Sequence, residues 1–224
     1  MKIGILGSGS VAQTLAGKLL PRGHEVMISG RDIDSVKETL PSAKVFAETM
    51  RDRGFLSSAG SYQNAASFGE MIINATVGIA SVDVLGSIPK KDLRGKILID
   101  LANPLDFSKG FPPSVAYCHE ESLGEKIQAE LPDTRVVKTL NMVNALMMVD
   151  PSLAKGDSDI MIAGNDANAK EWVAKNILMN EFGWKNIIDL GDIQAARGME
   201  MYLPLWVRMM GAFNSPHFNI KIVH

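Results

Sequence analysis

Lys2-Ile3-Gly4-Ile5-Leu6-Gly7-Ser8-Gly9-Ser10-Val11-Ala12 ends an apolar run in small residues spaced G-x-G-x-x-A and opens directly into a helical pattern. Ile3, Ile5 and Leu6 read as a buried strand. Val11, Leu15 and Leu19, with Ala12 and Ala16, form an i, i+4 apolar stripe that stops near Pro21 and Gly23. Val26-Met27-Ile28 follows as the returning parallel strand. In that setting Gly7 permits a tight bend, and Gly9 lets backbone amides approach a pyrophosphate with no Cβ in the way. Ala12 is small enough for the helix to pack on the strand. The helix N-terminus adds partial positive charge, so Gly7, Ser8, Gly9, Ser10 and Val11 form a candidate phosphate turn of a dinucleotide site.

The end of the second strand selects between the nicotinamide dinucleotides. An acidic residue about 20 positions after the glycines normally accepts the adenosine ribose hydroxyls. This chain has Ser29-Gly30-Arg31 there. A carboxylate would repel a 2′-phosphate, whereas a hydroxyl and a guanidinium bind it with charge-assisted hydrogen bonds. The reading favours NADP(H) over NAD(H), with Asp32 directly after as the alternative ribose ligand.

Composition narrows the class. The 224 residues suffice for one core, with or without a small extension. A net charge of −2 gives no reason to expect nucleic acid or an anionic membrane as partner. No apolar run reaches the roughly 18 to 20 residues of a membrane span, and the chain enters its first strand without a signal-peptide pattern, so no membrane insertion and a cytoplasmic location are expected. Cys118, the single cysteine, excludes an intramolecular disulfide, and four scattered histidines argue against a metal site. Met199, Met201, Met209 and Met210 concentrate in one terminal segment and read as core or dimer-interface packing.

Residues 34–40 read as a short helix, and 45–60 carry no assignable pattern. Met71-Ile72-Ile73-Asn74-Ala75-Thr76 and Lys96-Ile97-Leu98-Ile99-Asp100-Leu101 are strands, separated by a helical pattern through Val82, Val84 and Leu85. A helix over 122–131 precedes a further strand, Arg135-Val136-Val137-Lys138-Thr139-Leu140. This alternation specifies an α/β, Rossmann-type, doubly wound parallel sheet. Beyond Pro151 come a strand at Asp159-Ile160-Met161-Ile162, a helix over 168–182 stopped by Gly183, and a strand at Ile187-Ile188-Asp189-Leu190. Residues 193–210 have helical spacing with Pro204 inside, which predicts a kink or two short helices. Residues 218–223 suggest an edge strand. The expected division is an NADP-binding Rossmann domain over 1–150 and a small C-terminal α/β subdomain over 151–224, packed on it.

In an open α/β sheet, ligands bind outside the carboxyl ends of the strands where strand order reverses. That rule nominates Ala75-Thr76-Val77, Asn103-Pro104 and Asn141-Met142-Val143 beside the glycine turn. Thr76 and Asn103 suit ribose or carboxamide contacts, or equally hydrogen bonds to turn backbone. Asn141 lies where a nicotinamide face is expected, and its amide suits orienting the nicotinamide or the ring that exchanges hydride with it. No acid or base stands out. His24 precedes the second strand, remote from the carboxyl ends, and His119-Glu120-Glu121 reads as a solvated loop. Hydride transfer between two rings needs alignment and exclusion of water more than a dedicated proton donor, so this pattern points away from alcohol and hydroxy-acid oxidation.

Gly7-Ser8-Gly9-Ser10-Val11-Ala12, His24-Glu25-Val26 into Ser29-Gly30-Arg31, Asp100-Leu101-Ala102-Asn103-Pro104 and Val136-Val137-Lys138-Thr139-Leu140-Asn141 resemble, in order, the NADPH-dependent coenzyme F420 reductase-like family. Leu190-Gly191-Asp192 with Ala196-Arg197 and Glu200 extends the resemblance over nearly the whole chain. The family includes the cytoplasmic domains of membrane ferric reductases. The resemblance implies an oxidoreductase passing hydride between NADP(H) and a deazaflavin or flavin-like acceptor, with coenzyme F420, FMN or FAD as co-substrate and a homodimer as the assembly. Archaeal deazaflavin enzymes of the family tend to carry histidine where this chain has Asn141, and the ferric reductase-like members carry asparagine. The resemblance therefore supports NADPH more strongly than coenzyme F420. An NADPH-dependent imine or carbonyl reductase, with Lys138 as proton donor, and a non-catalytic dinucleotide-sensing protein are the alternatives.

Overall fold

In the computed structural model, which describes residues 1–32, 57–117 and 119–223, the opening stretch folds as strand β1 (Lys2–Leu6), a turn, and helix α1 (Ser10–Leu19). The helix expected over 34–40, residues 45–56 of the unassigned segment, and Cys118 lie outside the described residues. Seven further strands join β1 in one sheet: β2 (Glu25–Ser29), β3 (Ser57–Gly60), β4 (Met71–Asn74), β5 (Ile97–Asp100), β8 (Arg135–Thr139), β9 (Asp159–Ala163) and β10 (Asn186–Asp189). Strands β6 (Leu105–Asp106) and β7 (Ser114–Val115) form a separate small hairpin that the sequence reading did not anticipate. The sheet order is β10-β9-β8-β5-β4-β1-β2-β3, so strand order reverses between β1 and β4.

The strands are apolar on both faces because each face is covered. Ile3, Ile5, Ile73, Ile99 and Val137 pack on one side with Leu15 and Leu19 of α1. That layer also holds Met147 of α6 (Ala145–Val149) and Val173 of α7 (Ala167–Val173). Their neighbours Leu6, Ile72, Leu98 and Val136 pack on the other. There they meet Ala65 of α2 (Tyr62–Phe68), Leu85 of α3 (Gly78–Gly86), Leu93 of α4 (Lys90–Leu93) and Ile127 of α5 (Leu123–Glu130). This is the period-two alternation of strand side chains. Helix starts follow their caps: Ser61 with Asn64, and Ser122 with Glu125, form reciprocal capping boxes.

Four features of the C-terminal third differ from expectation. β9 runs antiparallel to β8, and β10 runs parallel to β9, so the last two strands are reversed relative to the rest. The connection, residues 140–158, is long enough for a crossover, but its helix α6 has only five residues, in place of the longer helix that usually returns a chain to a parallel neighbour. α7 continues as a π-helical segment, Ala174–Phe182, ended by Gly183 at φ +86°. The terminal segment is one helix, α8 (Ala196–Phe213), which runs through Pro204. Pro204 removes one hydrogen bond, and the buried Met199 and Leu203 keep the helix docked. Residues 218–223 form no strand; the Asp159 amide donates to the Ile220 carbonyl at 3.0 Å and the Asp159 carboxylate receives the Ile222 amide.

Candidate functional site

The two glycines of the turn have different roles. Gly7 sits at φ +120°, donates to the Ser29 carbonyl at 2.9 Å, and would bring a Cβ to 2.4 Å from the Ala75 carbonyl. It is required by the fold. At Gly9 a Cβ would meet nothing within 4 Å among the described residues, so the backbone there is open on that side. Gly9 is also the N-cap of α1, and among the described residues no side chain caps that helix. α3 likewise starts at Val77 without a side-chain cap, and Gly78 presses so close to the Asn103 carbonyl that a Cβ would stand 1.9 Å from it. Two helix N-termini with amides unclaimed by side chains thus border one region, which suits the phosphates and carboxamide of a dinucleotide.

A groove of about 510 Å³ runs across the carboxyl ends of β1, β4, β5 and β8. Nine residues expected from sequence line it: Gly9, Ser10, Val11, Ala75, Thr76, Val77, Asn103, Asn141 and Val143. Gly7 and Ser8 form the turn itself, and the Ser8 carbonyl accepts from Gln13 Nε2. Ser29 is a correction. Its side chain is fully buried and its hydroxyl donates to the Ile5 carbonyl at 2.9 Å, so it is spent inside the sheet and not offered to a phosphate. Gly30 is buried, while Arg31 and Asp32 are exposed beyond the end of β2.

Asn103 and Asn141 hold each other. Asn103 Nδ2 donates to the Asn141 carbonyl at 2.7 Å, and Asn141 Nδ2 donates to Asn103 Oδ1 at 2.9 Å and to the Met199 carbonyl at 3.2 Å. Both partners of Nδ2 are acceptors, which fixes the orientation of the amide. Asn141 Oδ1 is left buried with no hydrogen-bond partner among the described residues. Leu140, at φ +62°, makes the bend that carries Asn141 out of β8 in a conformation rare for a residue with a side chain.

Below the groove the strand ends carry a polar row in register: Asn74, Asp100 and Lys138. Lys138 Nζ lies 2.8 Å from both Asp100 Oδ2 and Glu200 Oε1 and donates to the Ala102 carbonyl. Burial alone would lower its pKa, but the two carboxylates outweigh burial and hold the ammonium above its ordinary value. With its donors taken and its side chain fully buried, Lys138 does not line the groove, and this corrects its candidacy as proton donor. Thr76 is tied into the same row, its hydroxyl donating to Asn74 Oδ1 at 2.7 Å.

Sequence reasoning missed the wall supplied by α8. Leu203 and Trp206 line the groove, and the Trp206 ring stacks on Phe218 at 5.5 Å between centroids. Their i, i+3 spacing was visible, but which neighbour that face met was not. Phe107 and Met148 also line the groove and also went unnoticed. α8 is fastened to α5 by Arg197, whose guanidinium forks onto Glu125. That fork, helped by the Ser122 amide and against the upward push of burial, brings the Glu125 pKa down to about 2. His24 is buried with Nε2 3.2 Å from Glu181, and His119 is exposed; neither lines the groove. Among the described residues no group of side chains is arranged to hold a metal ion, and no helix is long and apolar enough to cross a membrane.

The family profile described as NADP oxidoreductase, coenzyme F420-dependent, matches residues 2–104. A crystal structure from Arthrobacter sp. FB24, provisionally named an F420-dependent NADP-reductase, matches with 42% identity, a TM-score of 0.89 and full coverage of both chains. The chain belongs to this family. Family membership makes it an NADP-dependent oxidoreductase on a Rossmann-type fold. Metalloreductase STEAP3 of Rattus norvegicus is 27% identical over 209 residues, covering 92% of this chain and 38% of that protein, so the oxidoreductase spans about two fifths of this curated relative. An imine reductase from Pseudomonas sp. shares the fold at a TM-score of 0.63 and 18% identity, over 95% of this chain and 62% of the other.

Proposed function

We propose that this oxidoreductase holds NADPH along the groove and passes hydride to a planar flavin- or deazaflavin-like ring seated against Leu203 and Trp206. The observation that carries this reading is the chemistry of the groove: no titratable side chain is among the described residues that line it. A reaction needing a general acid or base would lack one there, whereas hydride transfer between two rings needs alignment and dryness. The residues present also fit the cofactor. The open side of Gly9 and the uncapped start of α1 suit the pyrophosphate. The unpartnered Asn141 Oδ1 suits the N–H of a nicotinamide carboxamide, and Arg31 suits the 2′-phosphate.

In this reading NADPH supplies the hydride when bound, and the protein's part is positional. Asn103 locks Asn141, Asn141 orients the nicotinamide amide, and α1 and α3 turn their amides toward the anionic groups. Val77, Phe107 and Trp206 exclude water. The division at residue 150, the homodimer and the cytoplasmic setting belong to the same proposal.

Calorimetric titration with NADPH and NADH tests the first step. Anaerobic mixing of the NADPH complex with FMN, FAD or a deazaflavin, followed by loss of NADPH absorbance, tests the second. Tight NADPH binding and oxidation by one of these rings is the expected result. Binding without oxidation by any of them removes the acceptor class, and absence of nucleotide binding removes the whole reading.

A further inference from the structure

Three ionisable groups beneath the groove are not used by the proposed hydride transfer. Asp100, Lys138 and Glu200 are each wholly removed from solvent. Asp100 Oδ1 accepts from Asn74 Nδ2 at 2.8 Å and from the Ala102 amide at 3.2 Å, and its Oδ2 takes Lys138 Nζ. Glu200 Oε1 takes Lys138 Nζ and the Gly124 amide, and its Oε2 takes the Leu123 amide at 2.8 Å. Every one of these partners is a donor. A protonated carboxyl needs an acceptor for its O–H and finds none among them, so both groups are carboxylates. Lys138 gives its protons to the two carboxylates and to the Ala102 carbonyl, as an ammonium does. Two negative charges therefore meet one positive charge in the core. The Asn74 amide and the start of α5 spread the excess but carry no net charge to cancel it.

Ala102 determines where that excess is felt. It lines the groove, and it is bonded to the cluster twice, through its amide to Asp100 and through its carbonyl to Lys138. Thr76, also lining the groove, reaches Asp100 through Asn74. The charge thus sits one residue below the floor, at the ends of β4, β5 and β8, where the proposed function seats the nicotinamide. When hydride leaves C4 of the reduced ring with both electrons of its C–H bond and bonds to the acceptor ring, the nicotinamide changes from neutral to cationic.

We infer that the Asp100–Lys138–Glu200 cluster biases the redox state of the bound nicotinamide: its uncompensated buried negative charge favours the cationic ring over the neutral one and so favours departure of hydride. This rests on the proposed function. A full charge at that depth, in a medium far less polar than water, is worth about tenfold or more in relative affinity.

The test is calorimetric titration of wild type, Glu200→Gln and Asp100→Asn with NADP⁺ and with NADPH, alongside thermal melts. Each substitution keeps the side-chain volume and removes one charge. The ratio Kd(NADP⁺)/Kd(NADPH) should rise about tenfold in each, whereas a purely structural role would weaken both forms equally. An unchanged ratio in a folded variant overturns the inference. Should neither variant fold, the wild-type protein decides: NADP⁺ bound at least as tightly as NADPH supports the bias, and NADPH bound more than tenfold tighter overturns it. Failure of the wild-type protein to bind either nucleotide is a different result, and it removes the proposed function itself.

Discussion

Gly9 and Gly7 separate what the fold needs from what a ligand needs. Gly9 has an ordinary extended backbone, φ −72°, and open space where a Cβ would go. Gly9→Val should therefore leave the melting temperature within about 2 °C of wild type. It should nonetheless weaken NADPH more than tenfold, because the branched side chain would occupy the approach to the α1 amides. Parallel melts and calorimetric titrations check both halves. With Ser29 turned inward, Arg31 is left to meet a 2′-phosphate from the end of β2. Arg31→Ala should weaken NADPH about tenfold and leave NADH almost unchanged, the loss of a charge-assisted hydrogen bond worth about 1.5–3 kcal/mol. Equal losses for both nucleotides in that titration would disprove the assignment. Residue type and spacing were enough to bring Asn103 and Asn141 to the groove. The inward turn of Ser29 and the burial of Lys138 were not legible, because a polar residue at a strand end reads the same whichever face it takes and whatever lies beneath.

At the scale of elements, α8 completes the site from outside the first βαβ unit, and its attachment to α5 is electrostatic as well as apolar. Glu125 carries a pKa of about 2, below the ordinary carboxylate value, because Arg197 forks onto it. A group depressed in the folded state adds stability above its unfolded pKa and loses it as pH falls through the folded one. The clamp should thus be at full strength at neutral pH and fade between about pH 4.5 and pH 2. Glu125→Gln should lower the melting temperature by about 2–4 °C at pH 7, for a pair worth about 1 kcal/mol, and the gap to wild type should close near pH 2. Thermal melts at pH 7, 4 and 2.5 would show it; a gap independent of pH would mean that the fork contributes nothing. The capping boxes at Ser61 and Ser122 concern neighbours in sequence, and the helix read over 122–131 is the observed Leu123–Glu130. The Arg197–Glu125 fork spans 72 positions and could not be.

Across the whole molecule, the parallel part of the sheet follows from alternating apolar runs and helices, and the glycine turn fixes where strand order reverses. The direction of β9 does not follow, because strand periodicity is the same read either way; only the lack of a long helix between β8 and β9 goes with it. The reversed pair also meets the sheet weakly. β9 touches β8 through two register pairs, Lys138 with Ala163 and Thr139 with Ile162, whereas every other joint of this sheet has four or five.

That short joint has a kinetic consequence. A ladder with few cross-strand bonds opens at lower free energy than its neighbours, so the molecule should come apart in two steps. In native-state hydrogen exchange, the amides of Ile160–Ile162 and Ile187–Asp189 should lose protection as one group, ahead of Ile3–Leu6 and Ile97–Asp100. Uniform exchange across all eight strands would show a single cooperative unit instead. If the seam parts first, the strands that flank α8 loosen while the phosphate turn stays folded, and the protein can breathe at the acceptor end without releasing the nucleotide at the other.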